Sequence, residues 1–119
     1  MGGWKETKDT VYVVSWPGTG VIKVGVSYRQ RWRRFALRGA TVHELREFPD
    51  STSCYNAESV CHKHLFNTFP RAFPVSTDSI PFLGDTGGYL ECYQVGVDGV
   101  DAAVAACSSM LASNAQACV

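Results

Sequence analysis

The chain is 119 residues long, 45% apolar and 18% charged, and its formal net charge is zero. These values predict one globular domain, 1–119, with a real apolar core, and no apolar run is long enough to span a membrane. The first ten residues, MGGWKETKDT, lack the apolar centre of a signal peptide. We therefore expect an intracellular, cytoplasmic protein whose five irregularly spaced cysteines stay reduced.

The net charge of zero hides two halves of opposite sign. Residues 1–47 hold nine Lys/Arg against four acids (+5), and residues 48–119 hold two against seven (−5). A patch this basic can bind a phosphate-rich partner on a neutral chain, although a solvated helix face has the same composition. The positive charge is concentrated in YRQRWRRFALRG, 28–39, which contains Arg29, Arg31, Arg33, Arg34 and Arg38.

The first half of the chain predicts a β-hairpin, a helix and a third strand. After an N-terminal extension, 1–9, two strands at 10–16 and 20–26 are joined by the turn PGTG. A helix over 29–38 follows, which Gly39 can end in the left-handed conformation. The segment ATVHELREF, 40–48, has the composition of a third strand.

The second half predicts two longer helices separated by a turn-rich segment. Ser51, Thr52 or Ser53 can cap a helix that runs to about Asn67. Residues 70–88 are rich in turn formers and predict an ordered loop or lid. A fourth strand or extended edge at 89–95 and a C-terminal helix within 98–119, opened by Asp98 or Asp101, complete the pattern. The expected fold is mixed α/β (α+β): a small antiparallel sheet begun by a hairpin and flanked by helices.

The apolar pattern of the hairpin selects one register. Pairing Trp16 with Val21 gathers the apolar side chains on one face, whereas a slip of one residue would mix Lys23 and Gly25 into that face. Tyr12 and Lys23 then become diagonal neighbours on the other face, and Gly25, opposite Tyr12, leaves the phenol uncovered. A partly exposed aromatic ring beside a solvated lysine would have the same pattern. The gathered apolar residues are Val11, Val13, Ile22, Val24 and Val26.

Several short motifs, in this order, resemble the GIY-YIG nuclease superfamily over roughly residues 10–96. They are a tyrosine on the first hairpin strand, Lys-Val-Gly (23–25) on the second, Arg-Trp (31–32), Asn-Ala-Glu (56–58) and GGYLECY (87–93). The combination is most similar to the phage-type branch, whose second triplet often reads lysine, hydrophobic, glycine. The first triplet here is Thr-Val-Tyr (10–12), and the second tyrosine of the family is replaced by Lys23.

The resemblance implies a small DNA endonuclease, phage- or mobile-element-like, that uses Mg²⁺ or Mn²⁺. Glu58 would bind a single metal ion that keeps several waters, although an acid in the first turns of a helix also stabilises the helix dipole. Arg31 would hold the phosphate with its planar fork, with Arg33 or Arg34 as alternatives. The surrounding arginines that would contact the nucleic-acid backbone are Arg29, Arg33, Arg34 and Arg38.

Tyr12 and Lys23 would complete the catalytic set. Tyr12 would activate or position the attacking water, a task that favours a lowered phenol pKa, and Lys23 is the nearby cation. Lys23 would therefore either lower the pKa of Tyr12 or bind phosphate, and Gly25 would leave room for the substrate.

Three further residues are candidates for supporting roles. His62 follows Glu58 by four residues and could act as a second acid or base, hold water near the metal, or be structural. Glu91 could orient the site or pair at a strand edge, and Asn67 could provide polar support. The cysteines and histidines lack paired C-x-x-C spacing, which argues against a zinc site.

A non-catalytic nucleic-acid-binding module is the alternative function. It would keep the basic helix but would need neither the phenol of Tyr12 nor the carboxylate of Glu58. No separate recognition domain is visible in the sequence, so specificity would come from the 70–88 segment, from a protein partner or from homo-oligomer formation.

Overall fold

The computed structural model describes residues 10–27 and 30–117, with side chains described through residue 114. The predicted α+β fold is confirmed: four strands form one antiparallel sheet in the order β3-β1-β2-β4, with helices on both faces. The strands are β1 (Thr10–Trp16), β2 (Val21–Ser27), β3 (Thr41–Glu47) and β4 (Cys92–Gln94). The helices are α1 (Arg33–Leu37), α2 (Ser51–Thr68), α3 (Ile80–Leu83) and α4 (Val100–Ala117). The predicted extension 1–9 lies outside the described residues.

The hairpin has the register that its apolar pattern predicts. Trp16 pairs with Val21 and Tyr12 pairs with Gly25. The valines of the gathered face are buried against α2 and α4, which contribute Ala57, Cys61 and Cys107 among other small side chains to the core. Small residues let the helices approach the sheet closely. Because Ala57 and Cys61 face the sheet, Glu58 and His62 lie at the border of the buried face.

The opposite face of the sheet is also covered, by α1 and by residues 70–88. Phe35, Phe73 and Leu83 bury it together with Trp16, whose ring meets the edge of Phe82 at 5.3 Å between centroids. The 70–88 segment contains a turn of 3-10 helix, Ser76–Ser79, followed by α3. It is therefore ordered, as predicted, and its buried Phe73 and Leu83 pack against the sheet, whereas most of its other residues are exposed.

Several element boundaries differ from the predicted ones. The helix predicted from 29 begins only at Arg33, after a turn in which Gln30 has a φ of 53°. Gly39 ends this helix with a φ of 93°, as predicted. Asp50, rather than Ser51, Thr52 or Ser53, caps α2, because its carboxylate accepts the backbone N–H of Ser53 at 2.8 Å.

The predicted strand at 89–95 is shortened to three residues by a turn. Gly88 adopts a φ of 102°, and Tyr89–Glu91 form a 3-10 turn before β4 begins. This turn directs the Glu91 carboxylate back toward β2. Among the helices that the described residues form, none is both long and apolar enough to cross a membrane.

Candidate active site

A cleft of about 290 Å³ opens between the hairpin, the turn before α1, the first half of α2 and residues 86–91. Tyr12 enters it from β1, Lys23 from β2, Arg31 from the turn and Glu58 from α2. These are the four residues that the sequence predicted as catalytic, and they come from four separate elements. Glu91 also lines the cleft, so one of the supporting candidates belongs to it as well.

Lys23 is buried at the floor of this cleft, with 2% of its surface exposed. Its Nζ donates a hydrogen bond to the phenol oxygen of Tyr12 at 2.5 Å and a second to Oε1 of Glu91 at 2.8 Å. The ammonium also lies 5.2 Å from the ring centroid of Phe35, a cation–π contact. The predicted pairing of Tyr12 with Lys23 is confirmed, and the solvated lysine that the pattern also allowed is wrong.

The partners of Lys23 keep its ammonium charged. Burial disfavours the charge, but Tyr12 and Glu91 outweigh this effect and raise the pKa of Lys23 above its ordinary value. Glu91 is joined to Lys23 as an ion pair in which only the carboxylate reaches solvent. The site therefore holds a fixed positive charge throughout the neutral pH range.

The pKa of Tyr12 moves in the opposite direction to the one predicted. Burial of the phenol raises its pKa, and the opposing effect of the Lys23 charge is smaller. Tyr12 is consequently a neutral phenol at neutral pH. Because its oxygen accepts a hydrogen bond from Lys23, its own O–H proton must point to a different acceptor.

Gly25 leaves space for the side chain of Tyr12 rather than for a substrate. A β-carbon at this position would collide with the phenol oxygen of Tyr12, would lie 2.6 Å from its Cζ atom and would lie 2.9 Å from Nζ of Lys23. The space that the glycine leaves on the sheet is therefore filled by the phenol. The prediction that Gly25 leaves room for a substrate is wrong, and Gly25 is required for the Tyr12–Lys23 contact instead.

Three potential metal ligands meet at the edge of the cleft. One donor atom from each of Glu58, His62 and Glu91 lies within 4.8 Å of the other two. Glu58 and His62 are four residues apart on α2, with Oε2 and Nε2 separated by 3.4 Å. Two ligand atoms bound to one cation at about 2.1 Å lie roughly this far apart.

The hydrogen bonding of His62 fits a metal ligand. Its Nδ1 is 2.8 Å from the hydroxyl of Tyr93, whereas its buried Nε2 has no hydrogen-bond partner. With the proton on Nδ1, the lone pair of Nε2 faces the Glu58 carboxylate, an arrangement that is favourable when a cation lies between them. Metal-bound histidines typically have their second nitrogen fixed in this way. These residues therefore fit a divalent cation.

The predicted basic residues separate into two groups. Arg31 and Arg34 line the cleft, whereas Arg33 packs over the ring of Trp32, 5.6 Å from its centroid. Arg38 lies against Gly84, so closely that a β-carbon there would be 2.9 Å from the centre of the guanidinium group. Arg33 and Arg38 are thus outside the cleft, and Arg29 lies outside the described part of the chain.

Sequence reasoning missed the residues that complete the site. Tyr93 orients His62, and residues 86–88 form the wall above Lys23. Gly88 has a positive φ and a β-carbon on it would lie 3.0 Å from Cε of Lys23, so glycine is required at this position of the wall. The run GGYLECY contained the signal, because a glycine before a short strand can mark a turn or a close backbone approach. Asn67, proposed as a support residue, is exposed and does not line the cleft.

Comparison with known proteins identifies no relative of this chain, so any functional assignment depends on the geometry of the cleft. The chain matches no protein-family model, no curated protein and no solved structure.

Proposed function

We propose that the chain is a small divalent-metal-dependent endonuclease that hydrolyses phosphodiester bonds in DNA. The observation that carries the proposal is the convergence of Tyr12, Lys23, Arg31 and Glu58 on one cleft from four separate elements. Phosphodiester hydrolysis needs an activated water, neutralisation of the phosphate charge and assistance to the leaving oxygen. A binding module needs only the positive charges, so the phenol and the carboxylate in the same cleft favour the enzyme.

Arg31 and Lys23 supply the positive charge in this scheme. The guanidinium of Arg31 presents a planar fork that matches two phosphate oxygens. Lys23 contributes a charge that cannot move, because Tyr12 and Glu91 both hold its ammonium. A charge fixed before the substrate binds stabilises developing negative charge without a reorganisation cost.

Tyr12 acts in this scheme as a neutral hydrogen-bond donor. Its raised pKa disfavours a phenolate that would remove a proton from water. The hydrogen bond from Lys23 occupies the phenol oxygen and leaves the O–H group to bind the attacking water or a phosphate oxygen. Tyr12 thereby positions the reacting group, which is the second of the two roles that the family resemblance implied.

The ligand set of Glu58, His62 and Glu91 would hold Mg²⁺ or Mn²⁺, with Mn²⁺ favoured. When bound, the cation would lower the pKa of a coordinated water and neutralise charge on the phosphate. Mg²⁺ prefers oxygen ligands, whereas Mn²⁺ binds nitrogen and oxygen donors more tightly than Mg²⁺ does. His62 is therefore assigned to the cation rather than to proton transfer.

The proposal is tested by incubating the protein with supercoiled, linear, branched and single-stranded DNA, each with Mg²⁺, Mn²⁺ or EDTA. We expect cation-dependent cleavage that leaves 5′-phosphate and 3′-hydroxyl ends and is abolished by EDTA. The non-catalytic alternative predicts retarded DNA bands without products under every condition. We further propose that the protein acts in the cytoplasm of a bacterial or phage-infected host. Specificity would come from residues 70–88, a protein partner or a homo-oligomer.

A further inference from the structure

A second groove, of about 310 Å³, adjoins the active cleft at Glu91, whose side chain lines both. We call it the flanking groove; Lys63, Phe66, Arg71 and Leu90 line it together with His62, Tyr93 and Glu91 of the metal-ligand cluster. Its floor is apolar and open to solvent, because Phe66 is 59% exposed and Leu90 is 52% exposed. Neither hydrophobic side chain is needed by the chemistry assigned to the cleft.

The flanking groove also collects the positive charge of the acidic half of the chain. Residues 48–119 contain only two basic residues, Lys63 and Arg71, and both line this groove. The remaining charges of that half are seven carboxylates, of which Glu91 lines the groove where it meets the active cleft. Apolar rings beside positive charge are the combination with which proteins bind single-stranded nucleic acid.

Arg71 makes cation–π contacts with two aromatic rings. Its guanidinium carbon lies 5.1 Å from the ring centroid of Phe66 and 5.8 Å from that of Tyr93. The ion pairs found among the described residues do not include Arg71, so its fork has no carboxylate partner there. A guanidinium that is stacked on its faces still presents its edge to phosphate oxygens.

We propose that the flanking groove binds an unpaired nucleotide next to the bond that is cleaved. The base stacks on Phe66 and Leu90, and the adjoining phosphate is held by Arg71 and Lys63. This inference rests on the proposed function, since the two clefts share Glu91 and a nucleotide in the groove would lie beside the site of cleavage. A base inside a duplex is already stacked on both faces and must be unstacked at a cost, so the preferred substrates are single strands, flaps, overhangs and branched DNA.

The test compares two DNAs, a blunt duplex and the same duplex with a short single-stranded overhang, by fluorescence anisotropy in EDTA. We expect wild type to prefer the overhang, and Phe66→Ala to remove that preference, because one stacked base contributes about 5- to 150-fold in affinity. Phe66→Trp should retain the preference. Val97→Ala is the matched control, since Val97 is equally exposed at 59% but lies outside the groove.

Arg71→Ala provides a second measurement on the same DNAs. It should lower affinity for the overhang. It should also reduce the slope of log affinity against log salt by about one unit, because one phosphate contact is lost. The proposal is overturned if wild type binds both DNAs equally or if Phe66→Ala leaves the preference intact. Loss of self-association or of a protein partner in Phe66→Ala, with DNA binding unchanged, would also overturn it in favour of a protein-binding surface.

Binding in EDTA separates this proposal from the endonuclease assignment. If the protein cleaves blunt duplex but shows no overhang preference, the proposed function stands and the proposal for the flanking groove fails. If the protein never cleaves DNA but Phe66→Ala removes its overhang preference, the proposal for the flanking groove stands and the endonuclease assignment fails.

Discussion

Lys23 donates a hydrogen bond to the phenol oxygen of Tyr12 over 2.5 Å, and both side chains are buried on the same face of the hairpin. The contact depends on the β1–β2 register, which places Lys23 diagonally across from Tyr12. Burial raises the pKa of Tyr12 above its ordinary value of 10.0 despite the neighbouring Lys23 charge, whereas Tyr12 and Glu91 raise the pKa of Lys23 above 10.5 despite its burial. The folded protein therefore holds these two protons more tightly than the unfolded chain does.

This linkage predicts a loss of stability at alkaline pH. A group whose folded pKa is raised contributes stability that is complete below its unfolded pKa and is lost as pH rises toward its folded pKa. We expect the urea midpoint of wild type to fall above about pH 10 and to fall less steeply in Tyr12→Phe, which removes one of the two groups. Tyr55→Phe, which alters an exposed tyrosine, should follow wild type. Equal slopes for wild type and Tyr12→Phe would argue against this linkage.

Gly25→Ala should destabilise the protein because the new methyl group occupies the place of the phenol. We expect a loss of about 1–3 kcal/mol in the free energy of unfolding, the usual cost of overpacking a filled site. Gly87→Ala is the matched control, since a β-carbon there would meet nothing within 4 Å. Urea denaturation of the two variants measures the difference, and equal stability would mean that the phenol does not lie over Gly25.

The two groups of arginines should differ in kinetics. Arg31→Ala should lower the single-turnover cleavage rate by about 10²–10³-fold, because its contact strengthens as charge develops on the phosphate. Arg33→Ala, outside the cleft, should mainly weaken binding and reduce the salt slope by about one unit. If both variants changed the rate and the binding similarly, Arg31 would be only one residue of a general basic patch.

The assignment of His62 to the cation predicts a binding defect that can be measured without DNA. His62→Ala should weaken Mn²⁺ binding by about tenfold or more, because it removes the nitrogen ligand. Tyr93→Phe should have a smaller effect, since Tyr93 only fixes the imidazole. The matched control is His64→Ala on the same helix. Titration followed by electron paramagnetic resonance measures free Mn²⁺, and unchanged affinity in His62→Ala would leave His62 as an ion-pair partner of Glu58.

The local features of this architecture could be predicted from the sequence. Alternation of apolar residues has a period of two, so it determined the register of the hairpin and with it the meeting of Tyr12 and Lys23. A glycine after a run of helix formers likewise indicated the left-handed end at Gly39. Both signals come from residues within one segment or in two adjacent segments of the chain.

The parts that could not be predicted depend on contacts between distant segments. The packing of residues 70–88 onto the sheet buries Lys23, and no local pattern indicates that a lysine will be buried. The carboxylate of Glu91, 68 positions further along the chain, reaches Lys23 through the left-handed turn at Gly88. Burial then reversed the expected direction of the Tyr12 pKa, since its effect exceeds that of the neighbouring charge.

The central claim is that the cleft hydrolyses DNA through a cation held at Glu58, and Glu58→Gln tests it most directly. The substitution removes the charge with little change in volume, and Glu47→Gln is the control because Glu47 is exposed on β3. With Mn²⁺ and excess protein, we expect Glu58→Gln to lower the single-turnover cleavage rate by about 10³-fold or more while its DNA affinity in EDTA matches that of wild type. Cation-dependent cleavage by Glu58→Gln at the wild-type rate would contradict the account.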